Sequence, residues 1–232
     1  MRASTIFATL LGGLAAAVSL PAAEAREWEV AVGSGAGFAR SPSMDGVAES
    51  DAYPLADVGV AARVLPGMPI LGDLWAQARF GLGSSSANDF QQFDARLLMT
   101  SWHAGAFTMR ALTPRLRVIV RADLGVTVAD LDLSVPGATT TPAVALSDQV
   151  VTASAYGGVG LDLTLGRIPF SSRPFTFALR AEVGWLAVPS MDFHAHPDHP
   201  DDDIARLPIA AAALGSIDPS GAQIHVGIVG RF

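Results

Sequence analysis

The sequence predicts an all-β protein, an eight-stranded antiparallel up-and-down transmembrane β-barrel. Apolar residues recur at every second position over seven separate segments, and the links between segments are alternately short and long. Half of the chain is hydrophobic and only 16% is charged. Yet beyond residue 25 there is no uninterrupted apolar stretch of about 18 residues, the length a membrane-spanning helix needs. The hydrophobicity is spread along the chain in a two-residue rhythm.

Residues 1–25 read as a secretory signal: Arg2 is the positive start, 6–20 the short apolar stretch and Ala23-Glu24-Ala25 the small-x-small cleavage pattern. The expected division is a cleaved signal peptide over 1–25 and one barrel domain over 26–232. In a strand, successive side chains point to opposite faces, so each alternate row is one face. The first strand sets Trp28, Val30, Val32, Ala36 and Phe38 against Glu29, Ala31, Gly33, Gly35 and Gly37. The second sets Ala56, Val58, Val60, Ala62 and Val64 against Asp57, Gly59, Ala61 and Arg63. In the third, Leu74, Ala76, Ala78, Phe80 and Leu82 oppose Trp75, Gln77, Arg79 and Gly81. A fourth strand within 98–112 is less regular, with Phe107, Met109 and Ala111 as its apolar row against Thr108 and Arg110. The fifth carries Val118, Val120, Ala122, Leu124, Val126 and Val128, and the sixth Ala155, Val159, Leu161, Leu163 and Leu165. The seventh carries Phe175, Phe177, Leu179, Ala181, Val183 and Trp185, and the eighth Ile224, Val226, Ile228, Gly230 and Phe232.

The links over 65–73, 113–115 and 166–174 are short and rich in Pro and Gly, whereas those over 39–54, 84–94, 129–149 and 188–220 are longer. Short turns at one end and long loops at the other describe a meander whose ends meet different compartments. A soluble lipocalin-like barrel shows the same alternation with its apolar face inward. The second rows decide between the two. They hold mainly Gly, Ala, Ser and Thr with isolated charges, which suits a narrow filled lumen, while Trp28, Phe38, Phe175, Phe177, Trp185 and Phe232 lie near strand ends, where interface girdles sit. The apolar rows are therefore expected to face lipid.

Composition narrows function further. All 15 basic residues are arginine, and against 22 acids they leave a net charge of -7, without the basic footprint that nucleic acid requires. There is no cysteine, hence no disulfide and no lipoprotein anchor.

The last segment, residues 223–232, alternates Ile224, Val226, Ile228 and Gly230 and ends on Phe232. It resembles the C-terminal sorting signature of bacterial outer-membrane β-barrel proteins, in which Gly230 stands where many members carry a larger residue. Eight strands with long outer loops resemble the small barrels of the OmpA transmembrane domain, OmpX and OmpW type. The resemblance implies residence in the bacterial outer membrane among its lipids and lipopolysaccharide, insertion by the barrel assembly machinery, a monomer, and no cofactor.

Three candidate sites stand out. Arg121, Asp123, Asp162, Arg180 and Glu182 lie in inward rows and are expected to share the lumen as an ion-pair network. A buried charge without a partner costs several kcal/mol, so the network is expected to plug the barrel, with a gate for small or hydrophobic solutes as the alternative. In the last long link, His194, His196 and His199 lie among aspartates as a possible weak metal site, although their spacing matches no closed structural site. Ser101 and His103 share a strand face, the one sequence-level candidate for a lipid-modifying enzyme of the outer rim, but no orienting acid is near in sequence. The glycines of Gly35-Ala36-Gly37 and Gly157-Gly158 lead into no helix and so are not phosphate loops. The leading expectation is a non-enzymatic barrel acting in envelope structure or surface interaction through its loops.

Overall fold

The computed structural model describes residues 27–41, 52–89, 93–135, 144–170, 173–197 and 212–232. The expected signal segment over 1–25 lies outside the described residues. Eight antiparallel strands form a closed ring: β1 (Trp28–Ala39), β2 (Ala52–Met68), β3 (Gly72–Asp89), β4 (Phe93–Ala111), β5 (Leu116–Val135), β6 (Val144–Phe170), β7 (Arg173–Ala187) and, after a short outer hairpin of β8 (Met191–Pro197) and β9 (Ala212–Ile217), β10 (Gly221–Arg231). Each ring strand pairs with its sequence neighbour. The circle closes where β10 lies between β7 and β1, with Glu29 opposite Arg231 and Phe38 opposite Ala222. Short turns join β2 to β3, β4 to β5 and β6 to β7. In the first of them Gly67 and Gly72 take φ values of 64° and 77°, and the Gly67 amide donates to Asp73 Oδ1 at 2.8 Å.

The two faces differ as alternation requires. Leu124 is 71% exposed, Ile228 61% and Val32 59%, whereas Ile119, Ala178 and Val229, one step off in register, are fully buried. The exterior is a continuous apolar belt. On β5 it runs from Val118 to Val128, eleven residues, and then meets Asp130 and Asp132. A tilted strand needs about 9–11 residues to cross the hydrocarbon layer of a membrane.

Three expectations are corrected. On β4 the apolar row is reversed: Phe107 and Met109 face inward and are buried, and Trp102 faces outward. Phe107 stacks on Trp75 with ring centroids 5.8 Å apart, and Ala61, Met109 and Ile119 complete an apolar plug at the short-turn end. Fitting this plug outweighs keeping the outward row of β4 uniformly apolar, so Thr100 and Thr108 take outward places.

Secondly, the outer links are shorter than their sequence bounds. β3 to β6 continue through much of 84–94 and 129–149. There the outward row turns polar, with Ser86, Arg96 and Asp132, which ends the apolar alternation, but the inward row stays apolar through Ala87, Ala95, Leu97, Ala129 and Leu131. Thirdly, the link over 188–220 contains the β8–β9 hairpin, held to β6 at Leu146 and Ser147. Its Met191, Phe193 and Ile217 pack with Leu97, Leu131, Tyr53, Tyr156 and Leu186 in a second apolar core above the ring.

The inward glycines make room for tyrosines. A Cβ at Gly184 would lie 2.3 Å from the Tyr156 hydroxyl, and one at Gly37 would lie 2.3 Å from the Tyr53 ring. Tyr156 cannot retreat, because its hydroxyl donates to Glu182 at 2.8 Å and its ring carries the Arg79 guanidinium at 4.3 Å. Gly184→Val is expected to destabilise the barrel by about 1–3 kcal/mol through overpacking. Gly166→Val, at a position with nothing within 4 Å of the new Cβ, is expected to leave the urea midpoint in lipid vesicles nearly unchanged.

Candidate functional site

Between the two apolar plugs lies a layer of buried charge. Among the described residues, four arginines (Arg79, Arg121, Arg180 and Arg231) and four acids (Glu29, Asp123, Asp162 and Glu182) are buried, so this set is electrically balanced. Inward periodicity alone delivers each to the lumen from β1, β3, β5, β6, β7 or β10.

Glu29, Asp162, Arg180 and Arg231 form a closed four-membered ring. Arg180 Nη1 donates to Glu29 Oε1 at 2.7 Å and its Nη2 to Asp162 Oδ2 at 3.2 Å. Arg231 Nε donates to Glu29 Oε2 at 2.9 Å, and its Nη2 bonds Asp162. Every member thus touches both opposite charges, the geometry in which enclosed ions offset their lost hydration. The ring ties β1 and β10, the terminal strands of the barrel, to β6 and β7.

A second cluster lies on the side of β3 and β5. Arg121 Nη1 is 3.2 Å from Glu182, and Arg79 is 3.8 Å from Glu182 and 3.9 Å from Asp123. The Gln77 amide donates to Asp123. Phe107 lies between the clusters, with the Arg121 and Arg180 guanidinium carbons 5.6 and 5.2 Å from its ring centroid. On a third side, His225 Nδ1 is 2.8 Å from Asp57 Oδ2 and its Nε2 is 3.2 Å from Gln223 Oε1.

All five network residues named from the sequence line this lumen, but not as one group. Arg121, Asp123 and Glu182 belong to the second cluster, and Asp162 and Arg180 to the ring. Sequence reasoning missed Glu29, Arg79 and Arg231, together with Gln77, Asp57 and His225. Each stands in an inward row, so collecting every polar residue of those rows, rather than the conspicuous pairs, would have found them.

The remaining candidates fall elsewhere. His194 is exposed and its amide donates to Asp148 Oδ2 at 2.6 Å. His196 lies on β8 opposite Ser147, and His199 lies outside the described residues. Among the described residues no group of three metal-donor side chains converges. His103 is buried, and its Nε2 meets Ser154 Oγ at 3.0 Å rather than pairing with Ser101. Ile224, Val226 and Ile228 face outward on β10, and Phe232, just past its end, is also exposed. At Gly230 the Phe175 ring lies where a Cβ would stand, 2.6 Å away, and Phe175 also stacks on Phe232 at 6.3 Å. The glycine thus leaves room for an aromatic roof across the β7–β10 pair.

One cavity of about 30 Å³ is lined by Glu29, Asp57, Arg79, Arg180, Glu182 and His225. Another of about 40 Å³ is lined by Tyr53, Asp57, Ser101, His103, Thr127 and Gln223. Each has room for a few waters at most.

No family model matches the chain, and no curated protein matches it. Among solved structures the chain is similar to Ail, the attachment invasion locus protein of Yersinia pestis, in complex with the heparin analogue sucrose octasulfate, at 11% identity over 90% of this chain and 100% of that one, with a TM-score of 0.48. It is also similar to a major outer membrane protein from Thermus thermophilus, at 12% identity over 90% of this chain and 100% of that one, with a TM-score of 0.47. A third likeness is to Neisserial surface protein A, at 11% identity over 90% of this chain and 98% of that one, with a TM-score of 0.42.

The ring predicts non-additive energetics. Glu29→Gln leaves Arg231 and Arg180 each short of one counter-charge and is expected to cost about 3 kcal/mol. The double variant Glu29→Gln with Arg231→Gln restores balance around Asp162 and Arg180, and is expected to lose less than the sum of the two single changes by about 1 kcal/mol or more. Urea unfolding in lipid vesicles, followed by tryptophan fluorescence, measures both.

Proposed function

We propose that this chain is an integral outer-membrane barrel that is closed to solutes and serves the envelope as a structural and surface-presenting element. The observation that carries this reading is the apolar belt around all eight ring strands: eleven residues tall on β5, and holding Val120, Leu124, Val159, Leu163, Val183 and Ile228 in exposed positions. Water would leave such a surface unsatisfied, whereas hydrocarbon matches its height and composition. The short turns and both chain ends then face the periplasm, and the extended β3–β6 wall with the β8–β9 hairpin faces outward. Export through the cleaved 1–25 signal and insertion through the C-terminal strand, with Ile224, Val226, Ile228 and Phe232 as the recognised row, belong to the same reading.

The three layers support closure. A solute entering from outside meets Met191, Phe193, Leu97 and Leu131, then the ion-paired layer, then Trp75 and Phe107. The cavities between these residues hold only a few waters. A general diffusion pore is at odds with this lumen. The His103–Ser154 contact lies inside the same lumen, out of reach of lipid acyl chains. The surface presented outward is acidic: Asp94, Asp130, Asp132, Asp148, Asp192 and Asp218 stand there with Arg40 and Arg96, and Arg96 lies opposite Asp132 on β5. Such a surface suits cationic partners, or lipopolysaccharide reached through bridging divalent cations.

Planar-bilayer recording tests closure. The wild type is expected to show no steady conductance, and Arg121→Ala is expected to lower stability with conductance still at baseline. Discrete openings in either protein would instead support the gate. A lipid-facing substitution tests the belt: Leu124→Arg is expected to cost about 2–4 kcal/mol in a bilayer, against almost nothing if Leu124 met water.

A further inference from the structure

The short-turn rim is chemically divided. On the side of β7, β10 and β1 it is aromatic, with Phe175, Phe177, Phe232 and Trp28. On the side of β4, β5 and β6 it is basic. Arg110 ends the outward row of β4, Arg115 sits in the following turn, and Arg167 lies beyond the β6 bulge, all three exposed. The backbone brings them together: Leu112 donates to Leu116 across the turn at 2.9 Å, and Thr164 of β6 donates to the Arg115 carbonyl at 2.8 Å.

Among the described residues no carboxylate pairs with any of the three. Asp73 is engaged by Gly67 and by Arg63, Glu27 pairs with Arg63, and Asp162 is buried within the ionic ring. Arg110 does donate one N–H to the Ile70 carbonyl at 2.9 Å, which holds its guanidinium at the rim rather than satisfying its charge. Exposed Leu112, Leu165 and Ile168 alternate with the arginines.

We infer that this rim of β4–β6 is a seat for the anionic headgroups of phospholipids in the periplasmic leaflet. Guanidiniums take phosphate oxygens in a two-pronged geometry, and the intervening Leu and Ile side chains meet the upper acyl chains of the same lipids. Charge complementarity selects the occupant: three cations without acids recruit a lipid of net negative charge over a zwitterionic one. The opposite end, rich in aspartate, offers no equivalent. The inference rests on the membrane reading proposed above.

Native mass spectrometry of the protein in zwitterionic detergent tests it, with phosphatidylglycerol and phosphatidylcholine of identical acyl chains as the two probes. The wild type is expected to retain phosphatidylglycerol about tenfold more strongly. In the variant R110Q/R115Q/R167Q the ratio is expected to fall to near one, and Arg96→Gln, at the far end, is expected to leave it intact. Equal retention of the two lipids by the wild type would overturn the inference, as would an unchanged ratio in the triple variant or a ratio lost in Arg96→Gln. Excess inorganic phosphate is expected to leave bound phosphatidylglycerol in place, and complete displacement would show a bare anion site instead of a lipid seat. If the triple variant does not fold, the wild type in high salt decides: a preference that collapses supports the inference, and one that persists overturns it. A chain that stays dispersed in water without detergent would refute the membrane reading itself, an outcome separate from a barrel that inserts and shows no lipid preference.

Discussion

Burying charge inside a barrel is possible only if the charges are matched, and that constraint organises this structure. Among the described residues, four guanidiniums and four carboxylates are buried in the lumen. An unpaired ion there would cost several kcal/mol, comparable to much of the stability of a small domain. Each ion must therefore meet a counterpart: Glu29 and Arg231, like Asp162 and Arg180, meet as register partners on adjacent strands, and the contacts that skip a strand fix the relative heights of strands that never touch. Glu29 and Arg180 are separated by β10, yet their side chains meet at 2.7 Å. Antiparallel register sets the height of each strand against its neighbour, and the ions check that register across the lumen. The check falls where the ring joins its first and last strands, the pairing of greatest sequence separation and so the most costly in chain entropy to close.

The apolar plugs make the ionic layer strong. Trp75 and Phe107 below, and Leu97, Leu131, Met191 and Phe193 above, hold bulk water away from the ion pairs and so raise the strength of each contact. In return, the ion pairs hold the strands at a spacing that lets the large side chains fill the two ends. The glycines belong to the same design. A tyrosine placed between the charged layer and the upper core needs a wall without side chains beside it, and Gly184 and Gly158 supply it for Tyr156.

How much of this is readable from the sequence depends on which row carries the signal. The seven clean segments are legible because their outward rows are almost wholly apolar, which a two-residue period exposes directly. The fourth misleads because both of its rows hold large apolar residues: Leu98 and Trp102 face outward, while Phe107 and Met109 fill the lumen. Alternation cannot rank two apolar faces. The ion-pair residues Arg121, Asp123, Asp162, Arg180 and Glu182 are legible as inward, but their pairing is not. Asp162 and Arg180 are set by the register of adjacent strands, and the remaining partners by barrel tilt and by which strands come close across the interior; no local spacing records these. Arg121 and Asp123 look like a natural pair in sequence, yet Arg121 reaches Glu182, and Asp123 reaches Gln77 and Arg79.

The outer half of the molecule shows why strand ends and the edges of the apolar belt are easily confused in a sequence. On β5 the outward row passes from Val126 and Val128 to Asp130 and Asp132, while the inward row continues through Thr127, Ala129 and Leu131 without changing its burial. The apolar belt therefore ends in one row and the strand continues in the other. A reading that requires both rows to hold their character stops each strand at the edge of the belt and assigns the rest to loops. The structure separates the two: the belt governs only what faces out, and the core dictates how far the strand runs. Because the inward rows of β3–β6 stay apolar above the belt, they need a cover that the other ring strands are too short to give. The β8–β9 hairpin supplies that cover by turning Met191, Phe193 and Ile217 onto them, so an open wall becomes a closed cap.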